Sequence, residues 1–361
     1  MEMDSSRSIS RRLRELYRSR GYSHYRMSRF EPYDLYAGNK RFLVSEDILT
    51  FTDTDGRLMA LRPDVTLSIA KNAPAPGGAL QKVYYHETVY RTSPAGPGFR
   101  EIPQTGLECM GELDDYAMGE VLALAARSLA VISGDYVLDL GHMGLVSAAL
   151  EGIDPEAAGP ILRELGRKNV PAIRALCARA DVPPERQAAL CAMADLYGGP
   201  DQVLPRLEGL LPGKGAREAL AQLRRLCALL AAAGLEKNLR LDLSLVNDTG
   251  YYTGVLFQGC LPQIASPVLA GGRYDNLLRR LGKAGGAVGF AVYLDRLERL
   301  FPTPQPPAAD TLLLYAPSDD PAAVAAMAEK LAGQGGVRVE REAPEGVSFR
   351  RVVRFEKGGS F

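Results

Sequence analysis

The sequence predicts an α+β protein: an antiparallel sheet flanked by helices, interrupted by a helical insertion and followed by a small αβ segment. Three observations carry this. Strand-like runs stand on both sides of a long Ala/Leu/Arg-rich stretch, an Asp55-Gly56 turn signal separates two of them, and a Pro-rich linker precedes one last strand-like and helix-like pair. With 361 residues the chain has room for two or three compact units, and 46% hydrophobic with 24% charged residues is a globular composition. Lys+Arg and Asp+Glu both number 43, so the formal charge is zero and the electrostatic footprint of a strong nucleic-acid or anionic-membrane binder is missing. Cys109, Cys177, Cys191, Cys227 and Cys260 are widely spaced with no C-x-x-C pair, which points to a reducing, cytoplasmic setting and away from a disulfide framework or zinc knuckle. No apolar run approaches ~18 residues, so no membrane span is expected, and Glu2, Asp4 and several Arg near the start argue against a secretory leader.

Each element follows in order. Residues 8–21 put Ile9, Leu13, Leu16 and Tyr17 on one helix face, with Arg on the other as a solvated surface and Gly21 past the end. Residues 40–62 hold the strand-like runs RFLVS and LTFTDTDGRLMALR, the second turning at Asp55-Gly56. KVYYHETVYR and GFREIPQTGLECMG form a strand pair joined by TSPAGPG, and DYAMGEVLALAARSLAVI is a long helix suited to cover the sheet. From Asp154 to about Lys237, Val182-Pro183-Pro184, Gly198-Gly199-Pro200 and Leu211-Pro212-Gly213 divide an insertion of several short helices. Strands resume in LRLDLSL, GYYTGVLFQGC and ASPVLAGG; GGRYDNLLRRLG turns into a helix and AVGFAVYLDRLERL ends the core. Residues 303–307 are a linker, TLLLYAP a buried strand and PAAVAAMAEKLAGQG a helix. The expected organisation is a core from 1–153 and 238–302, an insertion over 154–237 and a short αβ segment over 308–361.

Several motifs lead nowhere. At LLPGKGAR, Gly209 and Gly213 before Lys214 are separated by three residues where a phosphate loop needs four, and Gly215 follows the lysine, so the stretch reads as a helix-connecting turn. His24, His86 and His142 lack metal-ligand spacing, and no G-x-S-x-G elbow occurs; no metal or cofactor is expected. What remains is a set of polar residues embedded in strands: Asp64, Thr66, Arg91, Arg100, Gln104, Glu108, Tyr251, Tyr252, Arg273 and Arg296. Polar groups on an apolar face are costly unless they meet a partner or a ligand. Gln104 and Glu108 are four apart on one strand and so share a face with Ile102 and Gly106. Two readings are open for Glu108 on these residues alone, a ligand contact or a structural pairing with an arginine on a neighbouring strand.

These stretches, in this order, resemble the catalytic core of histidyl-tRNA synthetase over about residues 30 to 300. LRPDVT resembles its L-R-P-E-x-T strand, VYRTSPAGPGFREIPQTGLECMG its motif 2 loop, YYTGVLF its histidine-binding segment, and GGRYDNLL with AVGFAVYLDRL its motif 3 region. The resemblance implies a class II synthetase core, with a six-stranded antiparallel sheet, flanking helices and a helical insertion. It carries Asp64 and Thr66 to the α-amino group of a bound histidine, Gln104 to the same backbone-recognising end and Glu108 and Tyr251 to the imidazole, with Arg91 and Tyr252 in the same histidine-binding set. It also places residues 30–50 in the motif 1 region, which implies a homodimer.

The departures fall on the nucleotide half. Where the synthetase has Arg-Gly-Leu-Asp-Tyr-Tyr this chain has Asn247-Asp248-Thr249-Gly250-Tyr251-Tyr252, so the cation at the α-phosphate is missing. Tyr293 replaces a glycine that leaves room beside the nucleotide, and Thr92-Ser93 stands where an acid helps hold the adenine. About 60 residues follow the core, too few for an anticodon-binding domain of the synthetase kind, so no tRNA partner is expected. Such a synthetase paralogue resembles the family of ATP phosphoribosyltransferase regulatory subunits, in which Asp is usual at the position of Asp64. That resemblance implies no catalysis of its own, a hetero-oligomer with the short catalytic subunit, and feedback inhibition with histidine as effector. A histidine-adenylating ligase using Arg91, Arg100 and Arg296, and a ligand-free scaffold, are the competing readings.

Overall fold

The computed structural model describes residues 6–39, 48–72, 80–92, 98–247, 251–297, 300–301, 308–344 and 346–356. The RFLVS run, Ser93, Asp248-Thr249-Gly250 and the 303–307 linker lie outside the described residues. The chain divides into two compact units, Met1–Phe301 and Pro302–Phe361.

In the first unit the amphipathic stretch is α1 (Ser6–Ser19). Its apolar stripe is buried as the spacing requires, with Ile9, Leu13 and Tyr17 inaccessible and the Tyr17 hydroxyl 3.0 Å from Ser128 Oγ on α4 (Asp115–Ile132). β1 (Ser23–His24), β2 (Phe30–Pro32) and α2 (Tyr33–Ala37) follow. β3 (Thr50–Thr52) and β4 (Leu58–Leu61) pair antiparallel across the Asp-Gly turn, where Gly56 takes φ +78°, and β2 adds to the other edge of β4. After α3 (Thr66–Asn72), β5 (Gln81–Thr92) and β6 (Phe99–Gly111) form the long antiparallel pair expected. The helix α4 begins where the Asp114 carboxylate accepts the Ala117 amide proton at 2.7 Å.

β7 (Val137–His142) and α5 (Met143–Leu150) lead to a mostly helical segment: α6 (Pro155–Gly166), α7 (Val170–Arg179), α8 (Pro184–Asp195), β8 (Tyr197–Gly198), α9 (Pro200–Leu207) and α10 (Lys214–Ala232). Proline stands in the first helical turn of α6 to α9, where its missing N–H costs nothing. β9 (Leu239–Asp242), β10 (Val255–Cys260), β11 (Leu269–Arg273), α11 (Asp275–Arg280) and β12 (Gly286–Tyr293) complete the unit, with a 3-10 turn at Leu294–Leu297.

The main sheet has nine strands in the order β1-β5-β6-β12-β11-β10-β7-β9-β8 and is mixed, which corrects the six-stranded antiparallel sheet expected from the resemblance. From β5 through β7 all neighbours are antiparallel, but β1 lies parallel to β5 and β9 parallel to β7. The chain returns to β7's edge through a long helical crossover, and such a connection delivers a parallel neighbour. The two-residue strands β1 and β8 are too short to show a period of two, which is why the sequence did not reveal them.

One face of this sheet packs on α1 and α4 through Leu107, Cys109, Phe257, Phe290 and Val292, and the same apolar cluster runs into the insertion through Ile161, Ile173, Leu190 and Leu223. The second unit holds β13 (Ala309–Leu314), α12 (Pro321–Ala332), β14 (Val337–Glu340) and β15 (Phe349–Arg354). Its three strands are parallel in the order β14-β13-β15, two more than the single strand read there, and Leu313, Val324 and Leu331 form its core.

Candidate functional site

The opposite face of the main sheet carries a cavity of about 580 Å³, and register explains why the space exists. Gly106 of β6 faces Ala291 of β12, which faces Ala270 of β11, which faces Gln258 of β10; in the next row Glu108 faces Gly289, and Gly289 faces Gly272. Small residues thus meet small residues across neighbouring strands, and side chains alternate faces, so the floor sinks where other strands would raise Val or Leu. A β-carbon at Gly106 would come within 2.6 Å of the Tyr85 hydroxyl oxygen.

All seven residues assigned to a histidine site in the sequence, Asp64, Thr66, Arg91, Gln104, Glu108, Tyr251 and Tyr252, line this cavity. Two of their placements differ from expectation. Asp64 and Thr66 are not on a strand: Thr66 opens α3, and Asp64 precedes it with its carboxylate accepting the Leu67 amide proton at 2.8 Å. Tyr251 and Tyr252 lie in the segment before β10. For Asp64 and Thr66 the cause is the chemistry of Arg62-Pro63-Asp64, which starts a helix and outweighs β-propensity.

Glu108 is 2% exposed, with Thr66 Oγ1 donating to one carboxylate oxygen at 2.7 Å and the Tyr274 hydroxyl to the other. Among the described residues no lysine or arginine pairs with it, so the cross-strand arginine of a purely structural role is not there. Burial pushes its carboxyl up to about 8, against the opposing pull of the Thr66 and Tyr274 hydrogen bonds. Gln104 is 3% exposed and its Nε2 has no hydrogen-bond partner, a donor presented beside the cavity. Arg91 donates from Nε to the Pro63 carbonyl at 2.9 Å and stands 3.8 Å from Asp64 Oδ2; burial raises the Asp64 pKa although Arg91 opposes it.

The remaining arginines do not converge on the cavity. Arg100, on the exposed side, pairs with Asp295 at 3.3 Å, and Arg273 turns to Asp275 at 2.9 Å and to Met118 Sδ. Arg296 donates to the Pro267 carbonyl with its guanidinium 4.2 Å from the centre of the Tyr293 ring. Residues missed in the sequence include Tyr274, which tethers Glu108, and Tyr85, Gln258 and Gly289 in the lining. Tyr274 sits inside GGRYDNLL beside Arg273, and as a large polar side chain next to a glycine-rich strand it carries the available signal. Among the described residues no cluster of His, Cys, Asp and Glu has the makings of a metal site, and no helix is long and apolar enough to cross a membrane.

A family model described as histidyl-tRNA synthetase matches residues 1–297. The ATP phosphoribosyltransferase regulatory subunit of Symbiobacterium thermophilum is 34% identical over 351 residues, which cover 92% of this chain and 86% of that protein. This chain belongs to the ATP phosphoribosyltransferase regulatory-subunit family, on the histidyl-tRNA synthetase fold. A solved ATP phosphoribosyltransferase regulatory subunit/histidyl-tRNA synthetase from Bacillus halodurans C matches with a TM-score of 0.75 and 25% identity over 97% of this chain and 93% of that one. A chain of the ATP phosphoribosyl transferase (HisG:HisZ) complex from Thermotoga maritima has the same fold, with a TM-score of 0.62 and 18% identity over 79% of this chain and 96% of that one. The family is non-catalytic, which agrees with a cavity whose lining includes the amide of Asn247 and the ring of Tyr293 where the synthetase pattern has an arginine and a glycine.

Proposed function

We propose that the cavity binds free histidine and that its occupancy sets the activity of a short ATP phosphoribosyltransferase catalytic subunit with which this chain assembles in the cytoplasm, giving feedback inhibition in histidine biosynthesis. The regulatory, non-catalytic role comes with the family; the ligand, its site and the partner are our reading. The observation that carries it is the pairing, on one strand, of a buried carboxyl that among the described residues is held by two hydroxyl groups, Glu108, with a buried amide nitrogen that has no hydrogen-bond partner among them, Gln104. A carboxyl that holds its proton up to about 8 meets an imidazole as acid to ring nitrogen, and transfer of that proton to the ring gives a charge-assisted carboxylate–imidazolium hydrogen bond, while the amide with Asp64, Thr66 and Arg91 offers complementary groups to an amino-acid backbone. The Tyr293 ring, stacked with Arg296, fills the side on which the synthetase resemblance puts the nucleotide, which supports binding without adenylation.

Reconstitution with a short catalytic subunit tests this. ATP phosphoribosyltransferase activity should depend on this chain, and histidine should inhibit the complex made with wild type at concentrations that leave the Glu108→Ala complex active. Superimposable inhibition curves would mean that histidine acts elsewhere, and histidine-dependent pyrophosphate exchange by the purified chain would favour the ligase.

A further inference from the structure

One wall of the cavity is formed by Leu245, Val246 and Asn247, and it is held from outside the cavity. Asp242, at the end of β9 and 7% exposed, uses Oδ1 to accept from the Ser244 amide at 2.9 Å and the Ser244 hydroxyl at 2.5 Å. Its other oxygen accepts from Lys168 Nζ at 2.9 Å, and the Lys168 ammonium also lies 4.9 Å from the centre of the Tyr197 ring. The wall is wedged between two glycines: a β-carbon at Gly141 of β7 would come 3.2 Å from Leu245 Cβ, and one at Gly166 of α6 would come 2.9 Å from Val246 Cγ2.

Lys168 occupies a backbone position that ordinarily goes to glycine. It closes α6 at φ +56°, its amide bonding to Leu165 O and that of Asn169 to Glu164 O, both at 3.0 Å, which is the left-handed closure in which a side chain is a strain and glycine is not. A lysine kept there despite that strain is accounted for by what its ammonium reaches.

We infer that Lys168 is a positioning residue of the cavity: through the Asp242 carboxylate it fixes the Ser244–Asn247 wall, so the order of the wall and the affinity of the cavity depend on a side chain of the helical insertion. The two carboxylate oxygens divide the work. With Lys168 removed, Asp242 is left with a buried oxygen lacking its cation, and the rotation that hydrates this oxygen withdraws the other from Ser244. Linkage is reciprocal, so a ligand that orders the wall also orders the α6–α7 corner.

The test uses the full chain and four proteins: wild type, Lys168→Met, Lys168→Gly and Lys168→Arg. Hydrogen exchange of the 243–247 amides is measured without ligand, and histidine affinity by calorimetry; the affinity arm rests on the function proposed above. Lys168→Met and Lys168→Gly should both speed wall exchange roughly tenfold, the loss of about one charge-assisted hydrogen bond, and weaken histidine by about three- to tenfold, while Lys168→Arg keeps both near wild type. Lys168→Gly relieves the backbone strain, so a lysine serving only the helix end would leave that variant with a wild-type wall. Wall exchange indistinguishable from wild type in either the Met or the Gly variant overturns the inference, whatever histidine does. A loosened wall in a chain that gives no heat with histidine upholds it and refutes the histidine reading alone.

Discussion

Gly289 stands directly opposite Glu108 in the pairing of β12 with β6, and the space its missing side chain leaves is the space the Glu108 carboxylate occupies. The buried acid and the glycine are therefore one feature. A β-carbon there would overlap Glu108 Oε2 and come within 2.5 Å of the Leu107 carbonyl oxygen. Gly289→Ala is expected to displace the carboxylate, destabilise the unit by about 1–3 kcal/mol as overpacked cores do, and abolish histidine binding. Thermal melts and calorimetry read both effects, and an alanine variant that binds histidine as wild type does would separate the two residues.

Removal of the carboxylate itself should be more selective. Glu108→Ala takes away a charge-assisted contact usually worth ~1.5–3 kcal/mol, roughly a ten- to hundredfold loss of histidine affinity, with uninhibited activity of the assembled complex nearly unchanged. Tyr251→Phe removes only a neutral hydroxyl and should cost less. Tyr274→Phe takes one of the two hydroxyl donors from Glu108, and an intermediate loss is expected.

The raised pKa of Glu108 makes a statement about pH. Because the folded chain holds this proton up to about 8 while an ordinary carboxyl loses it near 4.5, the contribution to stability is fully present below about pH 4.5 and is lost as pH rises through about 8. The urea midpoint of the ligand-free protein should fall over this window, and Glu108→Gln should flatten the fall. Burial lowers the pKa values of His24, His86 and His142, whose contribution instead disappears as pH falls, so the difference between the two proteins is the quantity to plot.

Restoring one synthetase cation should not restore chemistry. Asn247→Arg returns a positive charge to the cavity wall, but the Tyr293 ring with Arg296 against it remains in place. No histidine-dependent pyrophosphate exchange is expected from this variant, and exchange above an inactivated control would show that charge alone was missing.

A homodimer is expected in the absence of the partner. Strand β2 lies within residues 30–50, the region that the synthetase resemblance assigns to dimerisation, and the small β2-β4-β3 sheet it enters leaves Phe30 and Leu58 each 49% exposed, apolar surface that a second copy would cover. Sedimentation at micromolar concentration checks this, with a monodisperse monomer as the contrary result.

What the sequence determined by itself is what depends on near neighbours. Period two put Gln104 and Glu108 on one face of β6, period 3.6 buried Ile9, Leu13 and Tyr17, Asp55-Gly56 made its hairpin, and the apolar run of α4 ended where it was read to end. The synthetase-like motif order then gathered seven residues that line one cavity. Tertiary structure alone decided the rest. The cavity floor exists because Gly106, Ala291 and Ala270 come into register, and β6 meets β12 across more than a hundred residues of intervening chain. The same holds for Tyr274, which reaches Glu108 from a different segment, for Lys168, whose ammonium meets Asp242 across the fold, and for β1 and β8, two-residue strands that exist only because β5 and β9 offer an edge. Periodicity records how a segment faces its own neighbours; it holds no term for which distant backbone lies opposite, and that register is set only when the whole sheet closes.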